Sequence, residues 1–319
     1  MITPKKISLA QCPTPLELVE FSGNKFYLKR DDLTGTELTG NKVRKLEFLM
    51  ADALKQKADI IFTSGGDQSN HARATVIAAK RTGFNTKLFL WGDEKQSANG
   101  NLFLDKMYGA DIQFFNKRDF ENVNEIMFCQ KKDLAKKGKN AYVFPAGGST
   151  TLGMWGYIKF IEELKNQIDL KKIDSISAAC GSGGTAAGML VGAALNGLDL
   201  TIYAVHVLMT KKDMEKRILQ LAEGCILDYK LNCRINPEKL VVVDGFSKEG
   251  YKQISGSKIK LVKKFAEETG ILFDPYYTGK AFKFYFEKFV KTGKGKKNIF
   301  VHTGGLFGVF ARTTEYLSK

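Results

Sequence analysis

Two lysines three residues apart, Lys42 and Lys45, open an amphipathic stretch in Thr39-Gly40-Asn41-Lys42-Val43-Arg44-Lys45-Leu46-Glu47. That spacing puts both on one side of a starting helix. A cation there opposes the helix macrodipole, which lowers a lysine pKa and suits the amine to act as a nucleophile or Schiff-base former. Taken alone, the pair reads more readily as two solvated lysines in a lysine-rich chain. A second segment, Gly181-Ser182-Gly183-Gly184-Thr185, stands between a strand-like run and a helix-like run. Glycines let backbone N–H groups approach an anion, the helix start adds a favourable dipole, and Ser182 and Thr185 add hydroxyl donors. No Gly-Lys-Ser/Thr follows, and Ala186 stands where the third glycine of a dinucleotide fingerprint belongs. The other reading is a tight structural turn.

Two further segments carry polar clusters. In Gln68-Ser69-Asn70-His71, Ser69 is placed to cap a helix, and the free N–H groups beside it suit a carboxylate. In Asp274-Pro275-Tyr276-Tyr277-Thr278-Gly279-Lys280, an aromatic ring followed by a small hydroxyl at a loop-to-helix boundary can stack on and tether a flat ring. Tyrosines there also serve as amphipathic residues at the edge of a core.

The elements that must position these groups alternate. Strands are expected at Phe26–Lys29, Ile60–Thr63, Lys87–Trp91, Asp111–Phe115, Ala141–Phe144, Ser175–Ala179, Thr201–Val207, Leu240–Asp244 and Asn298–His302. Helices are expected at Lys42–Lys55, Asn70–Arg81, Asn99–Tyr108, Arg118–Lys137, Met154–Gln167, Thr185–Leu195, Met214–Glu223, Ser257–Glu268 and Gly279–Thr292. This alternation implies βαβ units and mostly parallel sheets. Four of the strands run straight into glycine or small polar residues, after Thr63, Phe144, Ala179 and His302. Ligands of open α/β sheets bind at the carboxyl ends of strands, so four such turns suggest one ligand held from several sides.

The chain has 319 residues, enough for about two domains. Its formal net charge of +15 raises the question of a nucleic-acid partner. The lysine runs, however, are dispersed over separate helix faces and loops and read as a solvated surface. The longest small and apolar run, Ala186–Leu195, is about half the ~20 residues that a spanning helix needs. Five scattered cysteines form no CxxC pair, and three distant histidines show no metal-ligand spacing. The expectation is a reduced cytoplasmic protein with no metal, no membrane contact and no nucleic-acid partner.

Eight segments in order carry a resemblance. They are Pro13-Thr14-Pro15-Leu16-Glu17, Leu28-Lys29-Arg30-Asp31-Asp32-Leu33, Gly40–Glu47, Gln68–His71, Pro145-Ala146-Gly147-Gly148-Ser149, Gly181–Thr185, Asp274–Lys280 and His302-Thr303-Gly304-Gly305-Leu306. Together they resemble the D-cysteine desulfhydrase and 1-aminocyclopropane-1-carboxylate deaminase family of pyridoxal-phosphate enzymes. The fold this implies is α/β, of the tryptophan-synthase-β-like kind (fold type II). It has two open, twisted, mostly parallel α/β domains with the cofactor in the cleft. The large domain would comprise residues 1–44 and 151–319, and the small one residues 45–150. The fold also implies a homodimer.

By the same resemblance, Lys42 carries the internal aldimine with pyridoxal 5′-phosphate. Lys45 and the loop Gly181, Ser182, Gly183, Gly184 and Thr185 hold the phosphate. Asn70 meets the ring 3′-oxygen. Ser69, with Asn70 and His71, receives the carboxylate of a small amino-acid substrate. Tyr277 stacks near the ring, and Tyr251 matches a second active-site tyrosine. A neutral hydroxyl, from Thr303 or Thr278, meets the pyridine nitrogen. The implied reaction is α,β-elimination from D-cysteine to pyruvate, sulfide and ammonia. Opening of 1-aminocyclopropane-1-carboxylate to 2-oxobutyrate and ammonia, and cleavage of L-cysteate, are the alternatives. Thr278 where the deaminases carry Glu, and His71 where they carry Gln, favour the desulfhydrase branch. Asp67, the segment 246–253 and Phe307-Gly308 depart from the family pattern and bear on pocket shape.

Overall fold

The computed structural model describes residues 2–94, 97–244, 246, 248–250 and 253–317. In chain order the strands are β1 (Leu16–Phe21), β2 (Asn24–Lys29), β3 (Ile60–Gly66), β4 (Asn85–Trp91), β5 (Asp111–Phe115), β6 (Ala141–Val143), β7 (Ser175–Cys180), β8 (Thr201–His206), β9 (Leu240–Val243) and β10 (Asn298–Val301). The α-helices are α1 (Asn41–Lys55), α2 (Asn70–Arg81), α3 (Gly100–Met107), α4 (Lys117–Phe120), α5 (Val123–Lys136) and α6 (Trp155–Lys165). They continue with α7 (Gly184–Leu195), α8 (Lys211–Asp228), α9 (Gly256–Thr269), α10 (Thr278–Tyr285), α11 (Leu306–Val309) and α12 (Thr313–Leu317).

The strands form two sheets. One has the order β1-β2-β10-β7-β8-β9 and the other β5-β4-β3-β6. The pairs joining β2, β10, β7, β8 and β9 are parallel, as are all pairs of the four-stranded sheet. Helices cover these sheets, so β7 is buried along its whole length and reads as a run of small and apolar residues rather than an alternating one. The expected mixed α/β architecture with mainly parallel sheets is therefore present.

The exception is β1, which the sequence reading missed. It pairs with β2 in antiparallel register, Leu16 facing Lys29 and Phe21 facing Asn24. The turn is Ser22-Gly23, both at positive φ (50° and 75°), as a two-residue hairpin of type I′ requires. The Ser-Gly pair was the available signal; two glutamates in Leu-Glu-Leu-Val-Glu-Phe masked the strand. Two long helices also break. The stretch expected as Arg118–Lys137 divides into α4 and α5, and at the break Phe120 reaches the cavity described below. The stretch after Gly279 runs as α10 and then widens into a π-turn over Phe286–Val290.

Close packing brings the binding elements together. Helix α7 is apolar around its whole circumference, as a buried helix must be. At Gly188 a Cβ would come within 2.6 Å of Met154 O and of Tyr157 Cβ, so α7 and α6 touch backbone to backbone. A cluster of stacked aromatics, with Phe265 and Phe273 centroids 4.6 Å apart, supports the far side of β10 and the turn leading to Tyr277. No helix among the described residues is long and apolar enough to cross a membrane.

Candidate active site

The carboxyl ends of β3, β6, β7 and β10 open onto one cavity of about 170 Å³. Each contributes its glycine-rich or polar turn: Gly65 and Gly66, Ala146 and Gly147, Gly181 to Gly183, and Thr303. The four turns expected to surround one ligand thus meet at a single cavity. Lys42, Ser69, Asn70, His71, Gly181, Ser182, Gly183, Thr185, Tyr277 and Thr303 all line this cavity.

Lys42 sits in the first turn of α1. Gly40 precedes it at φ 95°, and a Cβ there would be 2.9 Å from Thr303 O. The Asn41 N–H donates to that carbonyl at 3.0 Å, which ties the lysine-bearing helix to the loop after β10. Burial lowers the Lys42 pKa to about 8. The main cause is desolvation, where the sequence pointed to the helix dipole.

Lys45 lies one turn further, beneath the cavity wall. Its Nζ donates to Gly147 O at 3.2 Å and to Ser149 Oγ at 3.3 Å. Burial, and then the charge of Lys42, hold its pKa well below the ordinary value. Among the described residues no carboxylate acts on either amine, so the two cations lack a compensating anion of their own. Gly184 is packed beside Lys45: a Cβ there would lie 3.0 Å from its Nζ.

The loop after β7 faces this charge. Helix α7 begins at Gly184, so its first N–H groups have no acceptor within the helix. Ser182 Oγ and Ser149 Oγ are 2.7 Å apart, and Ser149 Oγ also accepts from the Gly184 N–H at 3.2 Å. Asn41 Nδ2 donates to Thr185 Oγ1 at 3.2 Å. A Cβ at Gly147 would collide with Ser182 Oγ and stand 3.6 Å from Lys42 Nζ. Only glycine at this position lets the Ser182 hydroxyl come so close to the turn after β6. Sequence reasoning missed Ser149 and Asn41, although both lie inside segments it had singled out.

Ser69 accepts the Ala72 N–H at 3.1 Å and so caps α2. Its own hydroxyl proton remains available to an acceptor. His71 Nε2 is 2.9 Å from Thr63 Oγ1, which donates its proton to Phe144 O at 3.0 Å. Thr63 can therefore only accept from the ring, and Nε2 carries the hydrogen. Nδ1 is left as a buried lone pair with no partner. Burial and the charges of Lys42 and Lys45 hold the imidazole pKa well below its usual value. Gln68, expected to join this polar cluster, instead serves α3: its Oε1 accepts the Asn101 N–H at 3.0 Å.

Asp274 makes the other wall. Its carboxylate accepts the N–H groups of Tyr276, Tyr277 and Thr278 at 3.0, 2.9 and 2.8 Å. This fixes Tyr277, whose ring lies against Gly181: a Cβ there would be 2.9 Å from Tyr277 Cε1. Thr278 stands one layer behind the cavity, with its Oγ1 3.1 Å from Thr303 Oγ1 and donating to Gly304 O at 3.2 Å. Of the two threonines, only Thr303 lines the cavity. Tyr251 lies outside the described residues.

The chain matches the model of the family described as pyridoxal-phosphate dependent enzyme over residues 7–304. It belongs to that family. The enzyme is 40% identical to the "Putative 1-aminocyclopropane-1-carboxylate deaminase" of Thermotoga maritima, over 97% of this chain and 98% of that one. It is 36% identical to the "Bifunctional D-cysteine desulfhydrase/1-aminocyclopropane-1-carboxylate deaminase, mitochondrial" of Arabidopsis thaliana, over 98% and 80% of the two chains. A crystal structure of an ACC deaminase homologue superposes with a TM-score of 0.89 at 34% identity, covering 99% of this chain and 96% of the other. The enzyme is a pyridoxal-phosphate-dependent lyase of fold type II. The cavity suits the cofactor: a buried amine of low pKa, a second buried cation, a helix N-terminus and the glycine-bearing turns at the ends of β3, β6 and β7 meet in one place.

Proposed function

We propose that this enzyme eliminates the β-substituent of a small amino acid, D-cysteine being the substrate that best fits its residues, with release of pyruvate, sulfide and ammonia. The observation that carries the choice is that no aspartate or glutamate lines the cavity among the described residues. At the position after the stacking tyrosine, where the deaminase branch carries Glu, stands Thr278, its hydroxyl engaged with Gly304 O. Opening a cyclopropane ring needs a proton delivered to carbon. Elimination instead needs a leaving group that departs with its own electron pair, and a thiolate does so readily. Cyclopropane opening and cysteate cleavage stand as the competing readings.

When bound, pyridoxal phosphate supplies an electron sink for the pair left at the substrate α-carbon. Lys42 holds the cofactor covalently and, once displaced by the substrate amine, takes the α-proton as general base. Its pKa of about 8 makes the neutral fraction of the free amine near pH 7 far larger than that of an ordinary lysine. Lys45, from beneath, and the loop Gly181–Thr185 neutralise the phosphate, with Thr185 donating a hydroxyl. Ser69 and Asn70 offer donors to the substrate carboxylate, whereas His71, as the Nε2–H tautomer, offers it none and instead presents an acceptor. Tyr277 flanks the ring, and the Thr303 hydroxyl, 3.1 Å from Thr278 Oγ1, is the neutral group that stands at the pyridine nitrogen. By the resemblance alone, Tyr251 is a second active-site tyrosine.

The chain divides, on this reading, into a large cofactor domain (residues 1–44 and 151–319) and a small domain (residues 45–150), each built on one of the two sheets. It works in the cytoplasm as a homodimer. Five unpaired cysteines support a reducing compartment. Exposed Phe103 and Met107 on α3, beside Leu306 on α11 and Phe310 just after it, support a subunit contact.

The test is a substrate comparison with purified holoenzyme, including both cysteine enantiomers, L-cysteate and 1-aminocyclopropane-1-carboxylate. D-cysteine releases sulfide and pyruvate with the highest kcat/KM. Faster 2-oxobutyrate formation from the cyclopropane acid overturns the choice.

A further inference from the structure

Three side chains behind the cavity form a line of defined polarity. Arg73 is fully buried on α2, with its guanidinium donating to Glu37 O, to Thr39 O at 2.9 Å, and through Nε to Asn101 Oδ1 at 2.9 Å. The Phe307 ring covers it, 5.0 Å from the guanidinium carbon. Burial draws the Arg73 pKa down to about 10, which leaves it cationic at neutral pH. Asn101 is itself fully buried on α3. Its Nδ2 donates to the backbone carbonyl of Gln68 at 3.0 Å and to Asn70 Oδ1 at 2.9 Å.

An amide side chain is normally ambiguous, because its oxygen and nitrogen can exchange places. Here the ambiguity is removed. A guanidinium can only donate and a backbone carbonyl can only accept, so Asn101 has one permitted orientation. Its Nδ2 must then be the donor to Asn70, and Asn70 must meet it with Oδ1. The Asn70 Nδ2 remains, on a residue that lines the cavity.

We propose that Asn101 is a positioning residue that locks the Asn70 amide with its N–H donors presented to the cavity, selecting an oxyanion on the cofactor ring as their acceptor. This rests on the cofactor reading above, in which Asn70 meets the ring 3′-oxygen. Asn101 touches neither cofactor nor substrate; it acts through Asn70. The departure of Phe307 from the family pattern, noted in the sequence, belongs to the same device, since that ring seats Arg73.

The decisive variant is N101D, whose carboxylate accepts but cannot donate, so the Asn70 amide reverses and turns its carbonyl to the cavity. The experiment measures binding to apoprotein of pyridoxal phosphate and of its analogue lacking the ring hydroxyl, with absorption spectra of both complexes. Wild-type protein prefers the hydroxylated cofactor. In N101D that preference falls roughly ten- to hundredfold, as expected for a lost hydrogen bond to a charged group. The band of the bound cofactor shifts, while affinity for the analogue stays within about twofold, since no bond to it is lost. Equal loss for both ligands marks a merely structural role and overturns the proposal, as does an unchanged preference. Should the added carboxylate near buried Asp105 prevent folding, N101A carries the same comparison; there too an unchanged ratio overturns it. Wild-type protein that binds neither ligand overturns the cofactor reading instead, so the two failures are distinct.

Discussion

His71 Nε2 lies 2.9 Å from Thr63 Oγ1, and this contact decides which protons the cavity can offer. With Thr63 committed to Phe144 O, the ring holds its hydrogen at Nε2 and a lone pair at Nδ1. Burial, with Lys42 and Lys45 nearby, opposes protonation. Nitrogen NMR of the side chain therefore shows no transition near the ordinary imidazole pKa of about 6.5. A transition there that disappears in His71→Gln would contradict the assignment. Thr63→Val removes both hydrogen bonds of this hydroxyl and costs about 1–3 kcal/mol of stability.

Lys42 must be neutral to attack a carbonyl. With its pKa lowered to about 8 by burial, the neutral fraction rises with pH up to that value and then levels. Reconstitution of apoprotein with pyridoxal phosphate, followed by stopped-flow absorbance, accelerates about tenfold per pH unit below that midpoint, as the neutral fraction does, and flattens above it. An amine with an unperturbed pKa would continue to accelerate towards about 10.4.

Beneath α1 a buried ionic network holds the helix that carries Lys42. Arg44 pairs with Asp31 at 2.8 Å and with Glu163 at 2.7 Å, and Lys29 also pairs with Glu163. Burial alone would raise the Glu163 pKa, but Arg44 and Lys29 overcome it and bring the value to about 2. A carboxylate held low in the folded state stabilises it above the unfolded pKa and loses that contribution as pH falls. The window here runs from the ordinary 4.5 down to about 2, and the contribution is on the order of 3 kcal/mol. Urea unfolding of wild type and Glu163→Gln should differ most at neutral pH, with the gap narrowing below 4.5. Arg44→Met strands the buried Asp31 carboxylate, while Glu163 keeps Lys29, and costs about 3–5 kcal/mol.

Gly147 and Gly23 separate strain from steric exclusion. Both have positive φ, 76° and 75°, but only Gly147 faces Ser182 and Lys42; nothing lies within 4 Å of a Cβ at Gly23. Gly23→Ala costs about 1–2 kcal/mol of stability and leaves cofactor affinity unchanged. Gly147→Ala carries a similar strain and also weakens cofactor binding at least about tenfold, because the added Cβ displaces Ser182 of the loop after β7. Equal affinities of the two variants, measured by equilibrium dialysis, would remove Gly147 from the site.

Local pattern was enough to place most of this architecture. Asn70–Arg81 and Asp111–Phe115 match their expected bounds, and the paired lysines of α1 converge on Gly147 as their spacing implies. Depth was not legible. Spacing alone could not tell that Lys45 lies under the cavity floor while Lys42 lines it, or that Thr278 stands behind Thr303. Those differences arise where separate strands meet. The same holds for Asn101, thirty-one positions from Asn70, and for Glu163, whose partners Lys29 and Arg44 lie more than a hundred positions away. Such contacts depend on tertiary closure, for which a single sequence carries no periodic signal.

The central claim is that Lys42, among all the lysines of this chain, holds the cofactor. Reduction of the holoenzyme with borohydride makes that linkage permanent, and peptide mass spectrometry then locates it. One pyridoxyl-phosphate adduct per chain on Lys42, absent from Lys42→Ala, is the predicted result. An adduct on Lys45 or any other lysine, or a holoenzyme that yields none, contradicts the account.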